Sequence, residues 1–165
     1  MRRKSCGLLA EAAAISFVTL VGFCPPLGAE ESGPFAMLAG AWSGSGTVSV
    51  SNGTNERIRC NANYDVVNPK NVQLSLRCAS DSYNFNLLSA INYEGGAISG
   101  SWTEATRNTA GHLTGRVNGS QIQVAAKGGS FAADLTVQTH GNHQSVTIHS
   151  TGSDVTGASI TMTRR

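Results

Sequence analysis

The chain has 165 residues, enough for one domain with a substantial core, and 40% of them are hydrophobic while only 13% are charged. Its formal charge of +2 rests on Arg2, Arg3 and Lys4 set against Glu11; without those, the twelve bases and ten acids become nine of each from Glu30 onward. So balanced a surface excludes the electrostatic footprint of a nucleic-acid binder or of a protein that clings to an anionic membrane.

Residues 1–29 read as an export leader. "MRRK" is a basic start, "AAAISFVTLVGF" an apolar stretch, and "PLGA" a small-residue ending that suits cleavage after Ala29. The apolar stretch is too short for a membrane span and is followed by Pro25-Pro26. Cys24 would suit lipid attachment, but the bulky Phe23 stands just before it. Cleavage leaves an N-terminal segment, 30–40, and a domain over 41–165 that is exported, to the periplasm if the host is bacterial or to the outside otherwise. It also removes Cys6 and Cys24, so that Cys60 and Cys78 remain as a disulfide pair.

From residue 41 onward no helical period is found; short apolar/polar alternations recur every ten or so residues between turn signals. "AWSGSGTVSV" puts Trp42, Gly44, Gly46, Val48 and Val50 on one face. A bulged Asn52-Gly53-Thr54 turn sets Val48 opposite Ile58 and Gly46 opposite Cys60. Folding "YDVVNPKNVQL" about Pro69 pairs Val66 with Val72, Tyr64 with Leu74, Ala62 with Leu76 and Cys60 with Cys78. A Ser80-Asp81 loop pairs Cys78 with Tyr83 and Leu76 with Phe85; Glu94-Gly95 pairs Ile91 with Ile98 and Leu87 with Trp102. Asn118-Gly119 pairs Gly115 with Ile122, and Gly128-Gly129 pairs Ala126 with Phe131. Gly141-Asn142 pairs Leu135 with Ile148, and a loop at 152–154 pairs Ile148 with Ala158.

These hairpins chain about ten antiparallel strands in series, and closing such a sheet removes both edges. The expected fold is therefore all-β, a closed up-and-down antiparallel barrel with a short N-terminal turn or helix. A sandwich would need long crossovers, and a transmembrane barrel would turn its apolar face to lipid, whereas here the other phase is Ser, Thr, Asn, Arg and Asp. The inward phase mixes Gly44, Gly46, Gly100 and Gly115 with Trp42, Tyr64, Tyr83, Phe85, Trp102, Phe131 and Met162. Ten strands lined by so many small residues are expected to enclose a cavity, although glycines also permit sharp strand coiling.

The opening "FAMLAGAWSGSG", a short turn leading to Gly40-x-Trp42 on the first strand, resembles the start of the calycin barrels: lipocalins, fatty-acid-binding proteins, avidins and nitrobindin-like haem barrels. The resemblance implies that Trp42 closes one barrel end and that the interior binds a ligand. A haem barrel would need an inward histidine, but His112, His140, His143 and His149 all fall outward, so no cofactor is expected. His140 and His143 oppose each other, as do His149 and Asp134, without the four ligands of a metal centre, so no metal is expected either.

Glu104 is in phase with Trp102, a lone carboxylate inside the mouth or at its rim, where Arg107 could pair with it. No nucleophile with a base partner, phosphate loop or carboxylate pair is found, and no enzyme is expected. The expected function is the binding of a small apolar ligand inside the barrel, lined by Tyr64, Tyr83, Phe85, Trp102, Glu104, Phe131 and Met162. The alternative is a protein partner: an exported proteinase inhibitor acting through Glu30–Leu38.

Overall fold

The computed structural model describes residues 33–165, and the leader expected over 1–29 lies outside them. Ten strands follow a short 3-10 turn at Ala36–Leu38. They are β1 (Gly40–Val50), β2 (Asn55–Asn68), β3 (Asn71–Ala79), β4 (Asn84–Glu94), β5 (Ala97–Glu104), β6 (Thr109–Asn118), β7 (Gln121–Gly128), β8 (Phe131–His140), β9 (His143–Thr151) and β10 (Val155–Arg164). Each pairs antiparallel with its sequence neighbours, and β1 pairs with β10, which closes the barrel. The closed ring leaves no backbone row unpaired, as the run of hairpins demanded.

Alternation sets the faces. On β2, Ile58, Cys60, Ala62 and Tyr64 are buried while the residues between them are exposed. The outward side chains of β9 and β10 include Ser145, Thr147, Thr161 and Thr163, all exposed. Cys60 lies opposite Cys78 and the two are disulfide-bonded across β2 and β3. The registers expected about Pro69, Gly141-Asn142 and residues 152–154 are all present.

Five other hairpins are paired two residues away from expectation. Val48 faces Glu56, Cys78 faces Phe85, Tyr93 faces Ile98, Val117 faces Ile122, and Gly128 faces Phe131. For three of them the reason lies in the turns. Gly119 and Gly129 take the first loop position with φ of 58° and 60°, the sign that a type II′ turn asks of its first central residue. Gly95 and Gly96 both have positive φ, the requirement of a type I′ turn, so the loop is Gly95-Gly96 rather than Glu94-Gly95.

The inward glycines do not hold space open. A Cβ on Gly44 or Gly46 would overlap the carbonyl oxygens of Thr161 and Ser159 on β10, and one on Gly100 would overlap that of Ala90 on β4. The strands coil so strongly that neighbouring backbone occupies the place of the missing side chains. That is why a tryptophan on β1 is followed by two glycines on the same face.

One end of the barrel is plugged. The 3-10 turn buries Phe35 and Leu38 beneath the strand ends, and the fully buried Trp42 donates from Nε1 to the Leu38 carbonyl at 2.7 Å. Phe35 meets Tyr93 edge-on with ring centroids 6.2 Å apart. Burying the Trp42 side chain contributes roughly 4–6 kcal/mol at the usual coefficient for apolar area, an upper bound because the unfolded chain already hides part of it.

Candidate functional site

The seven expected lining residues separate into two groups at opposite ends of the barrel. Tyr64 and Met162 lie at the plugged end, both buried, where Tyr64 pairs with Gly40 and Met162 with Gln144. Tyr64 donates to Gln144 Oε1 at 3.2 Å, and Gln144 Nε2 donates to Thr139 Oγ1 at 3.2 Å. Burial pushes the Tyr64 phenol up to about 12, opposed by its hydrogen bond to Gln144. This polar chain belongs to the floor of the barrel, and neither Gln144 nor Thr139 was singled out from the sequence. Their only signal was inward phase next to apolar neighbours.

Phe85, Trp102, Glu104 and Phe131 gather at the other end, with Tyr83 half-buried in the preceding β3–β4 loop. Trp102 and Phe131 meet edge-on at a centroid distance of 5.6 Å, and Trp102 Nε1 donates to the His112 carbonyl at 3.2 Å. Phe85 and Phe131 remain half-buried. The Arg107 guanidinium lies over the Phe85 ring, 4.6 Å from its centroid. Five hairpin tips edge this mouth, and one of them, the β5–β6 turn, carries Arg107.

Glu104 is buried at the start of that turn and fastens it. Its Oε1 accepts from the backbone N–H groups of Asn86 and Thr106 at 2.9 and 3.0 Å; Oε2 accepts from Arg107 N at 2.9 Å and from Arg107 Nη1 at 3.4 Å. Burial pushes its pKa up, but the hydrogen bonds from Asn86, Thr106 and Arg107 outweigh that, and the carboxyl is held below the usual range. With about four lone-pair sites already occupied, this carboxylate is a turn fastener rather than a free acid.

Between the two ends lies a band of inward apolar side chains that stay half-buried although the wall is closed. Leu74, Leu76 and Leu87 line the β3–β4 wall, and Val124, Leu135, Val146 and Ile148 line the β7–β9 wall. Strands five places apart in a ring of ten face each other, so these two walls are opposed. Two depressions open to solvent, about 540 and 180 Å³, also mark the wall at β6–β8 and β7–β9. Their linings take in Val124 and Leu135 with outward Arg116, Gln123 and Asp134, and include none of the seven expected residues. All four histidines are exposed; His140 opposes His143 and His149 opposes Asp134. Among the described residues no three His, Cys, Asp or Glu side chains gather closely enough to hold a metal ion.

No protein-family model matches the sequence, and no curated protein matches it. The fold, in contrast, is shared. The crystal structure of Rv2717c from M. tuberculosis is similar with a TM-score of 0.63 at 12% identity, over 79% of this chain and 94% of that one. The S-type phycobiliprotein lyase CPES from Guillardia theta is similar with a TM-score of 0.58 at 10% identity, over 79% of this chain and 90% of that one. Topology and these likenesses show a closed up-and-down antiparallel barrel, the fold that the Gly40-x-Trp42 opening implied.

Proposed function

We propose that the protein is an exported carrier of a small, mostly apolar molecule held inside the barrel. The observation that supports this most is the half-buried band of Leu74, Leu76, Leu87, Val124, Leu135 and Ile148 on opposed walls. Apolar side chains facing inward from a closed wall gain roughly 25 cal/mol for each Å² that a ligand covers, so such a band is a ready binding surface. Phe85, Trp102 and Phe131 would frame the entrance. Export accords with the leader-like residues 1–29 and with a disulfide that an oxidising compartment preserves.

The inhibitor alternative needed a projecting N-terminal segment, but Phe35 and Leu38 are buried in the plug. Native mass spectrometry of protein purified from its own host tests the carrier reading. The expected spectrum contains a retained small molecule, and a mature chain that begins at Glu30. A ligand-free spectrum, together with failure to bind any apolar environment-sensitive dye, would end the carrier reading. A mature chain that retains residues 1–29 would end the export reading.

A further inference from the structure

The charge balance of the whole chain hides an uneven distribution on the barrel wall. Arg57, Arg59, Arg77 and Arg165, four of the nine bases from Glu30 onward, are all exposed on one outward face. Arg57 and Arg59 are alternate residues of β2 and so share its outer side. On β3, Arg77 lies directly opposite Asn61, which places it diagonal to Arg59 and within reach of it. From just beyond β10, the Arg165 guanidinium donates to Asn61 Oδ1. Asn61 thus has three arginine side chains about it.

The strands on either side supply no acid to this cluster. Thr47 and Ser45 of β1 face Arg57 and Arg59, and Asn86 of β4 faces Arg77. Asp65 lies further along β2 opposite Gln73, and Asp81 belongs to the β3–β4 loop. Glu56, next to Arg57 in sequence, accepts from Ser80 and Ser82. Among the described residues the one ion pair joins Arg107 to Glu104, so none of the four arginines is in one. Like charges gathered on one face repel and work against folding, so the cluster calls for an anionic partner.

We propose that this outer face of β1–β3 docks an acidic polysaccharide, a chain of uronate or sulfated sugars. The site is on the outside of the wall and does not depend on the carrier reading. Forked guanidinium donors match carboxylate and sulfate groups, and the amide and hydroxyl side chains of Asn61, Ser43 and Ser45 beside them suit sugar hydroxyls. A protein partner would bring an apolar interface core, and a membrane would take up an inserted apolar cluster. The exposed large apolar residues, Val67 and Leu88, stand singly on β2 and β4 and match neither. Single-stranded nucleic acid stacks its bases on aromatic rings, and among the described residues no aromatic side chain is exposed.

Calorimetric titration with heparin and with polygalacturonate across a NaCl series tests the proposal, beside neutral dextran, single-stranded DNA and phosphatidylglycerol vesicles. At low salt an acidic polysaccharide is expected to bind and dextran is not, with affinity falling as salt screens the charges. Binding of heparin alone would assign the arginines to sulfate, and of polygalacturonate alone to carboxylate. Arg59→Gln with Arg77→Gln should weaken binding about tenfold or more. Arg116→Gln with Lys127→Gln removes the same charge from the β6–β7 wall and should leave binding nearly unchanged. All four positions are exposed, so both pairs test charge rather than folding. Equal weakening by the two pairs would reduce the effect to net charge and overturn the proposal. So would failure to bind either acidic polysaccharide, or tighter binding to DNA or to the vesicles.

Discussion

The guanidinium of Arg164 lies over the indole of Trp42, 4.7 Å from the ring centroid, and donates from Nη2 to the Met37 carbonyl. The last strand thereby holds both the tryptophan and the turn that covers it. Replacing Trp42 with Ala removes a fully buried aromatic and is expected to cost roughly 3–5 kcal/mol. Arg164→Met keeps an apolar stem but loses the charge over the ring, at roughly 1–2 kcal/mol. Urea unfolding of both single variants and the double variant checks this, since coupled residues give a non-additive double loss. Strict additivity would mean that the plug and the last strand act independently.

The Cys60–Cys78 disulfide spans a sequence separation of 18 between directly opposed positions. For a loop of that length the chain-entropy account gives about 3 kcal/mol of stability. Replacing both cysteines with Ser should lower the unfolding free energy by about that amount while the barrel persists. Peptide mapping without reductant should recover the two cysteines linked; two free thiols in protein from an oxidising compartment would contradict the pairing.

Bulk placed at an inward glycine and bulk placed in the half-buried band should behave oppositely. Gly100→Leu forces a side chain into the Ala90 carbonyl and is expected to cost at least roughly 1–3 kcal/mol. Val124→Phe adds volume at a half-buried inward position and should cost less stability than Gly100→Leu while weakening dye binding. Melting curves and dye titrations on the two variants separate these effects. Undiminished dye binding by Val124→Phe would place the dye somewhere other than between the opposed walls.

The Glu104 carboxyl, held below its usual range, ties stability to acid pH. Its folded pKa lies below the unfolded one, so its contribution is complete above the ordinary carboxylate range and is lost as pH falls through the folded value. Glu104→Gln should lower stability at neutral pH by roughly 1–3 kcal/mol, because the backbone donors of Asn86, Thr106 and Arg107 lose a charged acceptor. Urea midpoints measured across the acid range should fall less steeply for the variant than for the parent. Parallel curves would show that Glu104 does not fasten the turn.

At the other extreme, Tyr64 keeps its proton up to about 12 in the folded barrel. An unfolded tyrosine ionises near pH ~10, so the parent should lose stability as pH rises from there toward the folded value. Tyr64→Phe should weaken the protein by about 1 kcal/mol at neutral pH, as Gln144 loses a partner, and should show a smaller alkaline decline. Unfolding midpoints on either side of that range decide the matter.

Much of the architecture was legible in the residue pattern. Period-two alternation placed Trp42, Ile58, Cys60, Leu113 and Ile160 on the inner face, and each is buried there. Successive short hairpins implied the closed ring, and the mirror pattern about Pro69 paired Cys60 with Cys78. Five registers were not legible from that pattern, because a slip of two residues returns every side chain to its own face and leaves the hydrophobic match intact. The backbone sign at Gly95, Gly119 and Gly129 resolves three of them.

What only the tertiary structure decided are the relations between distant backbones. Gly44 and Gly46 are small because β10 presses its carbonyls against them, a contact more than a hundred residues away in the chain. Tyr64 and Phe131 share one phase but lie at opposite ends, and Arg107, in a turn with no phase at all, comes to rest over Phe85. Alternation determines on which side of the wall a residue stands, since it follows from the local geometry of a single strand. It carries no information on height in the barrel or on strand coiling, which arise from how ten strands shear and close around one another.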